Sequence, residues 1–72
     1  MNKIYIKTDF IRLDSLLKLA GAVGTGGQAK VMISDGLAAV NGEVCLMRGK
    51  KLRGGDIVEF EGEKIEIVKG EE

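Results

Sequence analysis

Arg12-Leu13-Asp14-Ser15-Leu16-Leu17-Lys18-Leu19-Ala20-Gly21-Ala22-Val23-Gly24-Thr25-Gly26-Gly27-Gln28-Ala29-Lys30 decides the fold class, because it holds two helix signatures separated by a glycine-rich turn. Leu13, Leu16, Leu17 and Ala20 fall at i, i+3, i+4 and i+7, one buried stripe that leaves Arg12, Ser15 and Lys18 elsewhere on the cylinder. Thr8 or Asp9 is the expected cap of this first helix. Its expected end is at residues 21–24, since glycine supplies the left-handed residue that closes a helix. Thr25-Gly26-Gly27-Gln28 then fits a capping box, in which the Thr hydroxyl bonds the amide three residues on and the Gln side chain reaches back. Ala29, Met32 and Ile33 make the second buried stripe, Lys30 and Ser34 point away from it, and Gly36 stands where a closing glycine is expected.

On the N-terminal side, Lys3-Ile4-Tyr5-Ile6-Lys7 reads as a short strand, rich in β-branched and aromatic residues. On the C-terminal side, Leu37-Ala38-Ala39-Val40 and Glu43-Val44-Cys45-Leu46 flank Asn41-Gly42, the strongest two-residue hairpin signal because both turn positions need positive φ. Gly54-Gly55-Asp56 turns the chain into Ile57-Val58-Glu59-Phe60, and Glu61-Gly62-Glu63 turns it again into Lys64-Ile65-Glu66-Ile67-Val68, whose alternation marks one wet face. The expected architecture is α+β: two short helices packed on a small, mostly antiparallel sheet of about five strands. Phe10 and Phe60 are expected in its core. Only Gly70-Glu71-Glu72 reads as a frayed tail.

At 72 residues there is room for one domain, so residues 1–72 are expected to form a single unit with little area to spare for an enclosed catalytic cavity. The single Cys45 cannot make an internal disulfide, and the first residues are too short an apolar run for a signal-peptide core; both point to the cytoplasm. No apolar run is long enough for a membrane span. With no His and one Cys, a soft-metal site has no ligands, and Cys45 has no base to activate it. Asp14 and Asp35 have no partner base at a telling spacing. A formal G-x-G-x-x-A match at Gly24 to Ala29 follows a helix pattern rather than a strand, which defeats a dinucleotide reading, and no Gly-Lys-Ser or Gly-Lys-Thr completes a phosphate loop. No cofactor and no small-molecule substrate is implied, and the chain is not expected to be an enzyme.

The formal net charge of zero conceals a division. Residues 1–54 carry nine Lys or Arg against four acids, a balance of +5, and residues 55–72 carry seven acids against Lys64 and Lys69, a balance of −5. Arg48-Gly49-Lys50-Lys51-Leu52-Arg53 places four cations in six residues, a density that suits phosphate contact as well as a solvated loop. The amides of Thr25, Gly26, Gly27 and Gln28 at a helix start form a candidate anion site. With no aromatic interleaved among the basic residues, a stacking platform for single strands is not expected.

Arg12-Leu13-Asp14, Thr25-Gly26-Gly27-Gln28-Ala29-Lys30, Gly36, Val40-Asn41-Gly42 and Gly55-Asp56 before Ile57-Val58-Glu59-Phe60 stand in the order of a known module. Over about residues 10–60 the chain resembles the ribosomal protein S-four-like RNA-binding domain, the alpha-L motif, and with an extra strand at each end it looks like the small stand-alone bacterial members. The resemblance implies a non-enzymatic protein that binds structured RNA, with ribosomal RNA, ribosomal subunits or their assembly intermediates as the expected partners. The implied contacts are Arg12, Lys18, the turn Thr25, Gly26, Gly27 and Gln28, Lys30, Asn41, Arg48, Lys50, Lys51 and Arg53. Many members have Ser-Arg-Ser where this chain has Thr25-Gly26-Gly27, so the missing arginine shifts the contacts to Lys30, the turn amides and the loop cations. The alternative is a protein-protein interaction module whose contact face is the acidic C-terminal strands.

Overall fold

In the computed structural model, which describes residues 2–70, the order of elements is β1 (Asn2–Ile6), β2 (Ile11–Arg12), α1 (Leu13–Leu19), α2 (Gly26–Ser34), β3 (Ala38–Val40), β4 (Glu43–Val44), β5 (Lys51–Leu52), β6 (Ile57–Phe60) and β7 (Glu63–Lys69). Five strands form one sheet in the order β1-β7-β6-β3-β4, with only β1 and β7 parallel, and β2 and β5 pair separately as an antiparallel ribbon. The expected α+β architecture is present; the ribbon is an addition to it. Glu71 and Glu72 of the expected tail lie outside the described residues.

The helical stripes meet one face of the sheet. Leu13, Leu16 and Leu17 of α1 and Ala29 and Ile33 of α2 are fully buried, against Val58 and Phe60 of β6 and Ile65 and Ile67 of β7. Alternation sends Glu59, Lys64 and Glu66 to the other face, as expected for a sheet covered on one side. Each fully buried Leu or Ile contributes about 1.5–3 kcal/mol from apolar area removed from water, so these few side chains supply most of the drive to fold.

Both helices end in the same way. Gly21, at φ +75, donates to the Lys18 carbonyl while the Ala22 amide bonds Leu17, and Gly36, at φ +83, donates to Ile33 while Leu37 bonds Met32. These are two Schellman closures, and each requires the left-handed conformation that glycine adopts without a Cβ penalty. The Asn41-Gly42 turn also forms as expected, with φ of 52 and 88. Its second arm is shorter than expected, since β4 stops at Val44 and Leu46 leaves the sheet exposed.

The start of α1 differs from expectation. Neither Thr8 nor Asp9 caps it: the Thr8 hydroxyl donates to the Phe10 carbonyl, and Asp9 accepts from Lys69 at 2.7 Å. Arg12 occupies the cap position, and its side chain makes no capping bond. The orphan amides of the first turn are satisfied from afar, Leu13 by the Lys50 carbonyl at 2.9 Å and Asp14 by the Arg48 carbonyl at 3.0 Å. A loop about 35 residues away in sequence therefore caps this helix, and local reading could not find it. At α2 the Thr25 hydroxyl accepts from the Gln28 amide at 3.1 Å as expected, but the Gln28 side chain reaches one residue further back, to the Gly24 amide at 2.8 Å.

Candidate nucleic-acid interface

The basic loop is docked, not dangling. A turn closed by the Lys50 amide on the Met47 carbonyl presents the carbonyls of Arg48 and Lys50 to α1, and the chain then enters β5 opposite β2. The ribbon register pairs Ile11 with Leu52 and Arg12 with Lys51. Gly49 lies under the Arg12 guanidinium, with room for a Cβ only 3.7 Å from Nη2. Arg12, Arg48, Lys50, Lys51 and Arg53 are thus brought together at one end of α1, all of them exposed.

Two contacts moderate this cluster. Asp14 takes the Arg12 guanidinium at 3.1 Å through Oδ2 and the Ser15 amide at 2.8 Å through Oδ1. Phe10 lies beneath two cations, with Lys51 Nζ 4.9 Å and Arg53 Cζ 5.9 Å from its ring centre. It is 37% exposed rather than in the core, because it precedes β2 on the ribbon's outer side while Ile11 faces inward. Sequence reading missed Phe10 as a neighbour of the cations; the signal was its place beside Ile11-Arg12, visible only once that dipeptide is known to pair with Lys51-Leu52.

Lys18 and Lys30 stand apart from the loop cluster. Lys18 is exposed in the last turn of the seven-residue α1, about 7.5 Å along the helix from Leu13, where the loop docks, and Lys30 is exposed on α2. Within the turn the Gln28 amide is engaged by Thr25, so the candidate anion site narrows from four amides to those of Thr25, Gly26 and Gly27. Gly26 and Gly27 stand in the first turn of α2, where their amides have no intrahelical carbonyl to bond.

Asn41 is held by structural bonds. Its amide nitrogen donates to Asp56 Oδ1 at 3.0 Å, and its side-chain carbonyl accepts from the Ile57 amide at 2.9 Å. Asp56 in turn accepts from the Arg53 amide at 2.8 Å. Partial burial pushes the Asp56 carboxyl up, but the Arg53 amide, the Asn41 amide and the charges of Lys50 and Arg53 outweigh it and leave the carboxyl below its ordinary value of 3.8. The Asp9 carboxyl is also held low, by its hydrogen bond to Lys69. Asn41 thus ties the β3–β4 turn to the start of β6, and through Asp56 to the Arg53 amide.

Among the described residues no group of three His, Cys, Asp or Glu could hold a metal ion, and no helix is long and apolar enough to cross a membrane. Cys45 is half-buried, its thiol 3.6 Å from the Met47 carbonyl.

Comparison with known proteins places this geometry. Over 61 residues the chain is 46% identical to RlbA of Bacillus subtilis, a protein named for ribosome maturation, covering 85% of this chain and 86% of that one. Over 62 residues it is 36% identical to YbcJ of Escherichia coli, named as an RNA-binding protein, covering 86% and 89%. The solution structure of YbcJ, described as an alpha-L motif involved in RNA binding, matches with a TM-score of 0.73 at 33% identity, covering 94% of this chain and 87% of that one. Ribosomal protein S4e of Thermoplasma acidophilum shares the fold, with a TM-score of 0.61 at 21% identity over 81% of this chain and 31% of its own. The S4 domain model matches residues 4–68, and with these two helices, the docked basic loop and the Asn41-Gly42 hairpin the chain belongs to the S4 domain family.

Proposed function

We propose that this chain is a non-enzymatic, cytoplasmic RNA-binding protein that recognises structured RNA, with ribosomal RNA in a maturing particle as its target. One observation carries the reading: the loop that caps α1 gathers Arg12, Arg48, Lys50, Lys51 and Arg53 at one end of the helix pair, while the acids of β6 and β7 lie on strands of the main sheet. A zero net charge is compatible with phosphate attraction when the cations are collected in this way. The names of RlbA and YbcJ support RNA and ribosomes over the acidic strands as a protein-binding face. Phosphate contacts from such a cluster, with Lys18, Lys30 and the Thr25-Gly26-Gly27 amides as a second group, orient a protein on a folded RNA while carrying little base information.

Filter binding to a ribosomal RNA fragment across a salt series tests the reading. With about five to seven phosphates met, log affinity falls against log salt with a slope of roughly −3 to −6. Lys50→Glu combined with Lys51→Glu abolishes binding at moderate salt without unfolding the chain, since both side chains are exposed. Affinity unchanged by that pair of substitutions, or no binding to structured RNA at low salt, would sink it. Sequencing RNA cross-linked to the chain in cells then names the element bound.

A further inference from the structure

The ribbon of β2 and β5 has two faces, and its register assigns every residue to one of them. Ile11 pairs with Leu52, and these two face inward: Leu52 is fully buried and Ile11 packs against the core. Side chains alternate along a strand, so Arg12 and Lys51 point outward, and so do the residues flanking the central pair, Phe10 and Arg53. Extending the register sets Phe10 opposite Arg53 and diagonal to Lys51, the relation in which an aromatic ring reaches both. The ring distances of 4.9 Å to Lys51 and 5.9 Å to Arg53 agree. One small outward face thus carries three cations and one aromatic ring.

An aromatic ring on a wet, cationic face is not required by the fold. Phe10 is 37% exposed, and the inward face is already closed by Ile11 and Leu52. The chain has only three aromatic residues, and Phe10 is an exposed one that sits within reach of two cations. Every base has a π-face that such a ring can receive, and a guanidinium plane adds a second stacking surface.

We propose that Phe10, with Arg53 and Lys51, forms a subsite for one unpaired RNA base, so that the preferred target is a helix interrupted by a bulged or looped-out nucleotide rather than a continuous duplex. This rests on the RNA-binding reading above. In the free protein the two exposed cations lie over the ring. On binding, their long side chains turn to the phosphates on either side of the extruded nucleotide, and the base takes their place on Phe10. The cations of the loop and of Arg12 hold the adjoining helical backbone. An unpaired base suits this arrangement because it is already unstacked and open to an aromatic side chain.

The test uses the full chain and two RNA hairpins of the same sequence, one of them with a single extra 2-aminopurine that bulges from the stem. The wild-type chain binds the bulged hairpin about tenfold more tightly than the continuous one, a typical effect of one base stacked on an aromatic ring, and quenches the 2-aminopurine emission. Phe10→Leu removes both the preference and the quenching and leaves the affinity for the continuous hairpin unchanged. Phe10→Trp keeps the preference and introduces the chain's only tryptophan, whose emission is quenched by the bulged hairpin alone. Equal affinity of the wild-type chain for the two hairpins overturns the subsite while leaving the RNA-binding reading intact. So does an equal loss for both hairpins in Phe10→Leu, since the ring would then only order the cations around it. Failure to bind either hairpin at low salt overturns the RNA-binding reading and the subsite together.

Discussion

Asn41 and Asp56, fifteen residues apart, join the two ends of the hairpin region through one hydrogen bond of 3.0 Å. The bond ties a turn residue at φ 52 to the carboxylate that also receives the Arg53 amide at 2.8 Å. Asp56→Ala removes the acceptor of both donors, and its expected cost is about 1–3 kcal/mol, read as a lower urea midpoint at unchanged slope. The dependence on pH has a defined sign. The folded carboxyl is held below 3.8, and an unfolded chain keeps the ordinary value, so the unfolded state binds more protons in the acid range. The stabilisation from Asp56 is therefore complete above about pH 4 and is lost as pH falls through the folded value. Midpoints measured down to about pH 2 should drop less steeply in Asp56→Asn than in the wild type; parallel curves would show that Asp56 is not the group responsible.

Among the described residues Glu61 is the other non-glycine residue in the left-handed region, at φ 51, followed by Gly62 at φ 79 in the turn between β6 and β7. Glutamate gains nothing there, whereas asparagine tolerates that conformation and makes the favoured Asn-Gly pair of a two-residue hairpin. Glu61→Asn should raise stability by about 0.5–1 kcal/mol, seen as a higher melting temperature with RNA affinity unchanged or slightly raised. A lower melting temperature would mean that Glu61 contributes a favourable contact of its own.

The long-period features of this molecule were legible in its sequence, and the short, non-local ones were not. The leucines of α1, the Thr25 cap, the Asn41-Gly42 turn and the alternation of β7 each rest on local chemistry repeated over several residues. The β2–β5 ribbon is two residues on each side, below any detectable period, and it exists only because residues 11–12 and 51–52 meet in space. Two expectations fail for that one reason: Phe10, expected in the core, lies 37% exposed on the ribbon, and the cap of α1, expected at Thr8 or Asp9, comes from the Arg48 and Lys50 carbonyls. The charge division was visible in the chain, but not that Arg12 joins Lys51 while Lys18 and Lys30 lie elsewhere on the helix pair.

Gly27 separates folding from binding at the start of α2. It has no positive φ, and a Cβ there would meet only the Thr25 hydroxyl at 3.9 Å, so a side chain fits. An aspartate in the first turn of a helix is favoured by the dipole and removes a flexible glycine, so Gly27→Asp should leave stability unchanged or raise it by about 0.3–1 kcal/mol. The same carboxylate stands where a phosphate would approach the Gly26 and Gly27 amides, and RNA affinity should fall by about tenfold. Thermal melts alongside filter binding give the two readouts. Unaltered affinity would remove this turn from the interface and leave it to the loop cluster with Lys18 and Lys30.

In the proposed interface Asp14 competes with RNA for Arg12. Its carboxylate holds the guanidinium at 3.1 Å, with the Asp14 side chain only 15% exposed, and it stands in the first turn of α1, where a negative charge is favourable. Asp14→Asn keeps an oxygen for the Ser15 amide, which it now receives at 2.8 Å, and removes the charge. The expected loss of stability is about 0.3–1 kcal/mol from the helix dipole, because an ion pair with a half-exposed arginine adds little more. The expected change in binding has the opposite sign. With Arg12 released to a phosphate, affinity rises at low salt and the slope against log salt steepens by about one. Weaker binding in Asp14→Asn would mean instead that the carboxylate fixes Arg12 in the pose the RNA requires, and Arg12→Lys, which cannot hold the planar two-pronged contact, should then lose affinity to a similar extent.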